Sequence, residues 1–329
     1  MALNSRSSIS WCCENDCREI HAKWNQLKYI GETLASRTPA ERQQIKEMYR
    51  AMYHEDLVEQ FHKAWMANPK NEMFNILYMW MLERHERDAM VARDAVEQSN
   101  VDYKALIEIY THRKSNQLFF IKQAYFTKFK RPLDQDIISE PSHPHQRILG
   151  ALAASHKSHH DDVSAHIAKC DAKRLYEARK GSMGSIDESV ILEMFSKRSI
   201  PQLKLAFSCY KHIYGHDYTK TLKSENSGEF EDSLRLVVNC IHNPSKYYSK
   251  MLHTSLKEAD ADKSLLTRMM MGSAEVGMEE VKSAFSKRYG KNLQDAICES
   301  LPDGDYRDFL VALTNAPISG HHLHVASAI

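Results

Sequence analysis

Clusters of cysteine and histidine come first among the side chains that could do chemistry, because both types bind transition metals. Cys12, Cys13 and Cys17 lie close together, but two adjacent thiols and a third four residues on lack the C-x-x-C spacing of a zinc site. Three histidines within residues 156–160 have i, i+3, i+4 spacing, which would place them on one helix face. The sequence favours exposed or half-buried free thiols at the first cluster and a solvated linker at the second.

Acidic side chains in short polar segments form a second group. Such acids occur at 187–188 and 229–232, and again at 258–262 and Asp305. Acids in such positions cap and solvate helix N-termini. Residue type alone therefore predicts solvated helix caps at these segments.

Motifs for enzyme chemistry are weak in this chain. No Ser–His–Asp or paired-carboxylate arrangement rises above chance in a sequence with 18 histidines. The segment around Gly290 and Lys291 lacks both the first glycine and the hydroxyl of a phosphate-binding loop. Cys240 is interpreted as a buried, inert thiol, with a redox role as the alternative. An enzyme is not expected.

The charge balance and hydropathy limit the partners. Lysine and arginine number 44 against 43 acidic residues, so no global basic field points to nucleic acid. No apolar run reaches the roughly 20 residues that span a bilayer, and the first residues lack the apolar region of a signal peptide. We therefore expect a cytoplasmic protein whose seven cysteines stay reduced. With 11 glycines, 9 prolines and no alternating strand pattern, the predicted class is all-α.

A ladder of aromatic residues recurs four times and organises the chain. Its anchors are Arg37, Arg113, Arg198 and Ser273. At the twelfth, sixteenth and twentieth positions after each anchor stand Tyr49, Tyr53 and Leu57; Tyr125, Phe129 and Leu133; Tyr210, Tyr214 and Tyr218; and Phe285, Tyr289 and Leu293. The first two rungs share one helical stripe, and a short polar break precedes the third, which opens the next helix. The ladder predicts a four-fold internal repeat of helices.

Short motifs accompany the anchors in a fixed order: LASRT, HERDA, THRKS, SKRSIPQL, NPSKYY, LLTRMM and GDYRDFL. Together with the ladder they resemble the annexin family, its plant branch in particular, over residues 17–316. The resemblance implies a curved disc of four repeats with five helices each. We place the repeats at 17–85, 86–157, 169–246 and 247–316, with a flexible segment at 1–16, a linker at 158–168 and a tail at 317–329.

Family members bind anionic phospholipid through calcium held by a G-x-G-T loop and by a carboxylate about 40 residues later, and this chain departs from that motif. In the first repeat the loop reads Ala22-Lys23-Trp24-Asn25, and Phe74 stands at the carboxylate position. In the second repeat neither the loop at 97–100 nor the segment at 144–147 supplies the glycines or the acid. The resemblance therefore predicts that both sites are lost.

The last two repeats keep part of the motif. The third has Gly184 in its first loop and Glu231 in the second, and the fourth has Asp260 and Asp305. These four residues are the predicted calcium (Ca²⁺) ligands, in weakened sites, and solvated helix caps are the alternative. Lys23 and Trp24 are the predicted lipid contacts, because tryptophan suits the lipid interface and lysine attracts anionic headgroups. A helix-capping core tryptophan is the alternative.

Four further charges match the buried ion pairs of the family's central seam: Asp88, Glu108, Arg113 and Arg268. A structural role is favoured over ion conduction, because buried charges must be paired. Ser36 stands where a peroxidase role proposed for plant members needs histidine. The expected function is calcium-dependent phospholipid binding at the cytosolic membrane face. The alternative is a scaffold for proteins such as actin or another annexin that has lost lipid binding.

Overall fold

The computed structural model describes residues 2–138, 143–154, 163–179, 186–223, 228–257 and 263–317, and all regular structure in these ranges is helical. The first group of five helices is α1 (Ala2–Ala22), α2 (Leu27–Ala35), α3 (Pro39–Tyr53), α4 (Leu57–Ala67) and α5 (Glu72–Met81). The second is α6 (Arg84–Glu97), α7 (Tyr103–His112), α8 (Ser115–Phe129), α9 (Leu133–Ile137) and α10 (Pro144–Leu152). The third is α11 (Ala165–Glu177), α12 (Glu188–Lys197), α13 (Ile200–Tyr214), α14 (Tyr218–Thr221) and α15 (Glu229–His242). The fourth is α16 (Pro244–Lys257), α17 (Lys263–Val276), α18 (Met278–Tyr289), α19 (Leu293–Ser300) and α20 (Asp305–Leu313). The all-α class and the four five-helix repeats are confirmed.

The ends of the ladder helices follow from local sequence. Thr38 caps α3 by accepting from the backbone N–H of Glu41, whose carboxylate accepts from the N–H of Thr38 in return. Each ladder helix ends at a left-handed residue with positive φ: His54, Lys130, Gly215 and Gly290. That residue turns the chain so that the third rung begins the next helix, as the polar breaks predicted.

The first rung of the ladder is buried in every repeat, at 1% exposure or less. In three repeats it is a tyrosine whose hydroxyl bonds a side chain eleven residues later: Tyr49 to Gln60 at 3.3 Å, Tyr125 to Asp136 at 2.7 Å and Tyr210 to Thr221 at 2.8 Å. The fourth repeat has Phe285 and Ala296 at these two places. In these three repeats the hydroxyl of the first rung therefore connects the ladder helix to the helix that follows it.

The anchor arginines pair with aspartates on the first helix of their own repeat. The guanidinium of Arg113 donates to both oxygens of Asp88, at 2.5 and 3.0 Å, and both side chains are buried. The same two-point pair joins Arg37 to Asp16 at 2.6 and 2.9 Å, and Arg198 to Asp171 at 2.7 and 3.0 Å. Such bidentate pairs fix direction as well as distance, so they set how these helices pack.

The chain divides into two compact units. The first contains repeats 1 and 4, and its buried side chains include Ile20, Trp80 and Phe309; the indole of Trp80 donates to the carbonyl of Leu34 at 3.0 Å. The second contains repeats 2 and 3, with Phe195 and others buried. No helix within the described ranges is long and apolar enough to cross a membrane.

The start of the chain differs from the sequence expectation. The first helix begins at Ala2, well before Cys17, where the sequence pattern placed its start. Cys12 is half-buried, as predicted, but Cys13 and Cys17 are buried rather than exposed or half-buried. The thiol of Cys17 donates to the carbonyl of Ile45 at 3.4 Å. Burial raises the pKa of Cys17 to about 12, so the thiol stays protonated and inert. The sequence missed this because the Asp16–Arg37 pair, a tertiary contact, holds the helix against α3.

The boundary before the third repeat also differs slightly. Its first helix begins at Ala165, inside the predicted linker, and Ser164 caps it by accepting from the N–H of Ile167. The remainder of the histidine-rich stretch at 155–162, and the tail from residue 318 onward, lie outside the described residues. Cys240 is fully buried, which agrees with an inert thiol.

Candidate functional site

The predicted ligand Glu231 connects the two loops of the third repeat. It occupies the first turn of α15, where one carboxylate oxygen accepts from the backbone N–H of Gly228 at 3.0 Å. The other oxygen accepts from the N–H of Ile186, in the loop between α11 and α12, at 3.3 Å. The carboxylate therefore joins the first turn of α15 to the residue that precedes the cap of α12. Gly184, the other predicted ligand of this repeat, lies outside the described residues.

The neighbouring acids of the third repeat act as helix caps or ion pairs. Asp187 caps α12, accepting from the hydroxyl of Ser189 at 2.6 Å and from the N–H groups of Ser189 and Val190. The Ser189 hydroxyl contributes most to holding the pKa of Asp187 below its usual value. Glu188 forms an ion pair with Arg147. Among the described acids of these two loops, Glu231 is thus the one that reaches from the second loop to the first.

The predicted ligand Asp305 lies at the start of α20 and is exposed. Within the described residues its carboxylate makes no hydrogen bond or ion pair, so it is available to a cation. It lines an open cavity of about 360 Å³, whose other lining residues are Asn68, Lys263 and the segments 70–73 and 301–307. The hydroxyl of Tyr306 donates to the carbonyl of Lys263 at 3.1 Å, which ties α20 to the start of α17. Asp260 lies outside the described residues.

In the first repeat, aromatic side chains lie at both positions where the resemblance placed calcium ligands. Trp24 is half-buried and stacks on Phe61 at a ring-centroid distance of 5.2 Å. Phe74, at the carboxylate position, lies 6.2 Å from Trp24. Lys23 forms an ion pair with Glu19 and places its ammonium 3.8 Å from the centroid of Tyr29. This loop pair offers apolar surface and one cation rather than oxygen ligands.

In the second repeat, histidines occupy the place of the acid. Tyr103, which follows the capping residue Asp102, stacks on His143 at 4.6 Å and on His145 at 5.3 Å. The hydroxyl of Ser233 donates to the carbonyl of Glu229, so it accepts from Nδ1–H of His145 at 3.1 Å. Burial, then His143 and Lys104, lowers the pKa of His145 to about 4. The ring is neutral at physiological pH and supplies no charge for calcium.

This histidine gives a prediction on pH. Because the pKa of His145 is about 4 in the fold and about 6.5 in the unfolded chain, the unfolded state binds more protons between these values. Its contribution to stability is therefore complete above pH 6.5 and is lost as the pH falls towards 4. The loss should be on the order of 1 kcal/mol, since the ring is only partly buried and water screens its charge.

Thermal unfolding followed from pH 7 to pH 4.5 measures this loss. His145→Gln should flatten the curve, whereas His212→Gln, on an exposed position of α13, should follow the wild-type curve. Part of the acid loss should remain in both variants, because burial also lowers the pKa of His112 to about 4. Identical curves for His145→Gln and the wild type would contradict the assignment.

The residues predicted for a charged seam fall in different units. Asp88 and Arg113 form the two-point pair described above, and Glu108 is buried at 5% exposure on α7 of the same unit. Arg268 lies on α17, in the unit of repeats 1 and 4. Sequence reasoning missed the partners Asp16 and Asp171 of the other anchors. The available signal was an aspartate that precedes each anchor arginine by 21, 25 or 27 residues.

Comparison with known proteins agrees with this architecture. The annexin family model matches residues 87–152, 170–237 and 247–313, the second, third and fourth repeats. The mouse (Mus musculus) protein annexin A3 is 35% identical over 286 residues, 87% of each chain. Human (Homo sapiens) annexin A13 is 33% identical over 285 residues, 86% of this chain and 88% of its own. Arabidopsis thaliana annexin D2 is 30% identical over 305 residues, 91% of this chain and 94% of its own.

Solved structures agree as well. Annexin III superposes with a TM-score of 0.77 at 31% identity, over 92% of this chain and 93% of its own. Chicken annexin V in complex with Zn²⁺ gives a TM-score of 0.73 at 25% identity, over 93% of this chain and 96% of its own. The repeated helices, the sequence matches and the structural matches all lead to one assignment. The chain belongs to the annexin family, whose members bind phospholipid membranes in a calcium-dependent manner.

Proposed function

We propose that this protein is a plant-type annexin that binds anionic phospholipid at the cytosolic face of membranes, through weakened calcium sites in its third and fourth repeats. The observation that carries the proposal is the reach of Glu231 across to Ile186, which sets a carboxylate of one loop against the other loop. The exposed carboxylate of Asp305 supports the fourth-repeat site. The plant-type part of the proposal rests on the sequence motifs, since the Arabidopsis match is 30% identical and the mouse and human matches are 35% and 33% identical.

Weakness of the sites follows from competition. Calcium takes six to eight oxygens, and both oxygens of Glu231 already accept from backbone N–H groups. A carboxylate has further lone pairs, so it can still bind a cation, but the N–H groups share its charge. Gly184 and Asp260 are proposed to complete the two sites. Repeats 1 and 2 are proposed to bind no calcium, because aromatic and histidine side chains occupy their loops.

Calcium-dependent binding to vesicles tests this proposal. Removing charge without removing volume, in the double variant Glu231→Gln/Asp305→Asn, should raise the calcium concentration for half-maximal binding by about tenfold or more. The reason is that each site loses its strongest ligand while the hydrogen bond of residue 231 to Gly228 is kept. Sedimentation with phosphatidylserine vesicles across a calcium titration measures the shift.

Two residues of the same chain provide the matched control. Glu41 has the same capping position in α3 as Glu231 has in α15, and Asp295 is exposed in the first turn of α19. The variant Glu41→Gln/Asp295→Asn removes the same charge and should leave the calcium titration unchanged. Equal titrations for both double variants would overturn the site assignment.

Lys23 and Trp24 are proposed as a lipid contact that needs no metal, because this loop joins a half-buried indole to a cation. A second candidate function is a protein-interaction scaffold that binds actin or another annexin. The loops of repeats 1 and 2 favour it, since they offer aromatic and histidine side chains rather than oxygen ligands. Enzyme activity is not part of the proposal. Capture of actin by the purified protein in lipid-free buffer would favour the scaffold, and vesicle binding without such capture would count against it.

A further inference from the structure

The ladder helix of the second repeat, α8, presents three phenylalanines to solvent. Phe119 is 64% exposed, Phe120 52% and Phe126 54%. The opposite face of the helix is buried through Leu118, Ile121 and Tyr125. The exposed rings therefore do nothing for the core of this unit, and water-exposed aromatic clusters of this kind mark interaction sites. We call Phe119, Phe120 and Phe126 the α8 aromatic face.

The internal repeat shows that two of these three positions are polar in every other repeat. Phe119 and Phe126 stand at the sixth and thirteenth places after the anchor. The residues at the same two places are Gln43 and Arg50, Lys204 and Lys211, and Glu279 and Ser286. Five of these six are exposed and Gln43 is half-buried, so the fold accepts polar side chains there. The fold therefore does not require phenylalanine at these two places, which indicates a role that is specific to the second repeat.

Charge on the same segment points to an anionic partner. Between positions 114 and 131 there are five basic residues and no acidic one: Lys114, Lys122, Lys128, Lys130 and Arg131. The equivalent segments hold three basic and three acidic residues at 38–55, two and none at 199–216, and four and three at 274–291. Acids of α9 offset part of this charge, since Lys122 pairs with Asp134 at 2.8 Å and Arg131 with Asp136 at 2.7 Å. The segment remains the most basic of the four.

We propose that the α8 aromatic face is a further membrane contact, separate from the calcium sites and from Lys23 and Trp24, which binds the anionic surface of a bilayer without calcium. Phenylalanine rings on one side of a helix, flanked by lysines, have the composition of helices that lie in the headgroup region. The rings would enter the boundary between headgroups and acyl chains, and Lys130 and its neighbours would attract the anionic lipids. The surface shares the lipid partner of the proposed function but uses none of its calcium loops.

Vesicle sedimentation in chelator separates binding by the α8 aromatic face from binding through the calcium sites. The probe is phosphatidylcholine vesicles with one quarter phosphatidylserine, at about 0.1 M salt. The variant Phe119→Gln/Phe126→Ser carries residues that the first and fourth repeats already hold at these places. It should weaken binding in chelator at least tenfold. Lys130→Gly, which copies the glycines of repeats 3 and 4 at that turn, should weaken it about fivefold through the lost charge.

Controls keep the outcomes distinct. Met66→Gln removes a side chain that is 61% exposed in another unit, and Ile213→Ser removes one that is 41% exposed on α13; both should bind as the wild type does. The variant Glu231→Gln/Asp305→Asn should keep its binding in chelator, so failure of the calcium sites and failure of this surface are distinguishable. Amide hydrogen exchange of residues 115–130 should slow when vesicles are added in chelator.

Two results would overturn the inference. One is wild-type protein that does not bind the vesicles in chelator. The other is Phe119→Gln/Phe126→Ser that binds as the wild type does, with exchange of residues 115–130 unaffected by lipid. If that variant instead loses a soluble protein partner while its vesicle binding stays intact, the surface is a protein interface and the membrane assignment is wrong.

Discussion

Replacing Asp88 by alanine should lower the free energy of unfolding by about 3–5 kcal/mol, the usual cost of leaving one charge of a buried pair without its partner. The side chains of Asp88 and Arg113 are 7% and 9% exposed, and two hydrogen bonds join them. After the substitution the guanidinium keeps its charge, because arginine does not deprotonate in proteins. Water cannot reach it without disturbing the packing of α6 against α8.

Urea unfolding of the full chain, followed by circular dichroism, measures this loss. The matched control is Glu14→Ala, which removes the acid of the exposed pair Arg18–Glu14 at 2.5 Å and should cost under about 1 kcal/mol. Because the chain has two compact units, the loss should appear in the transition of the unit that holds repeats 2 and 3. An effect of Asp88→Ala no larger than that of Glu14→Ala would contradict the structural role of the pair.

The ladder was predictable because it depends on local periodicity. Spacings of four residues place Tyr125 and Phe129 on one stripe of a helix whatever the rest of the chain does. The hydroxyl contact of Tyr125 with Asp136 was less accessible, since it depends on how α9 folds back on α8. The sequence therefore gives the helices and their order, and the tertiary structure adds the polar contacts that fix the angles between them.

The fourth repeat lacks both the arginine–aspartate pair and the tyrosine hydroxyl bond of the other three repeats. Where the others have arginine and aspartate, it has Ser273 and, on the first helix, Tyr248; where they have tyrosine and a polar partner, it has Phe285 and Ala296. Both members of each pair are changed. The physical reason is that a buried polar group without a partner costs more than the pair contributes, so a pair is best replaced as a whole.

The candidate site was less predictable than the fold. Alignment with the family motif singled out Glu231, but its bond to the N–H of Ile186 depends on two loops that are 45 residues apart in the chain. The stacking of Trp24 on Phe61 and the burial of Cys13 have the same character, since both depend on the neighbouring helix. The exposure of Phe119 was not predicted, because α8 has apolar residues on both faces and its sequence does not show which face is buried.

Gly272→Ala should destabilise the protein by about 1–3 kcal/mol, the cost of overpacking a filled core. A methyl group at this place would lie 2.7 Å from the hydroxyl oxygen of Tyr248 and 2.8 Å from its ring carbon Cζ. Tyr248 is 4% exposed and cannot move aside without displacing its neighbours. The gain of up to about 1 kcal/mol from placing alanine in a helix is smaller than this strain.

Glycine at 272 thus belongs to the replacement of the anchor pair in the fourth repeat, where the ring of Tyr248 packs against the bare backbone of α17. Gly150→Ala in α10 is the matched control, because a methyl group there meets nothing within 4 Å and should stabilise by about 0.5–1 kcal/mol. The double variant Gly272→Ala/Tyr248→Leu should lose less free energy of unfolding than the two single variants lose together, since the smaller side chain leaves room for the methyl group. Additive losses of stability in urea unfolding would mean that Tyr248 and Gly272 are not in contact. Their contact would then not be what replaces the arginine–aspartate pair in the fourth repeat.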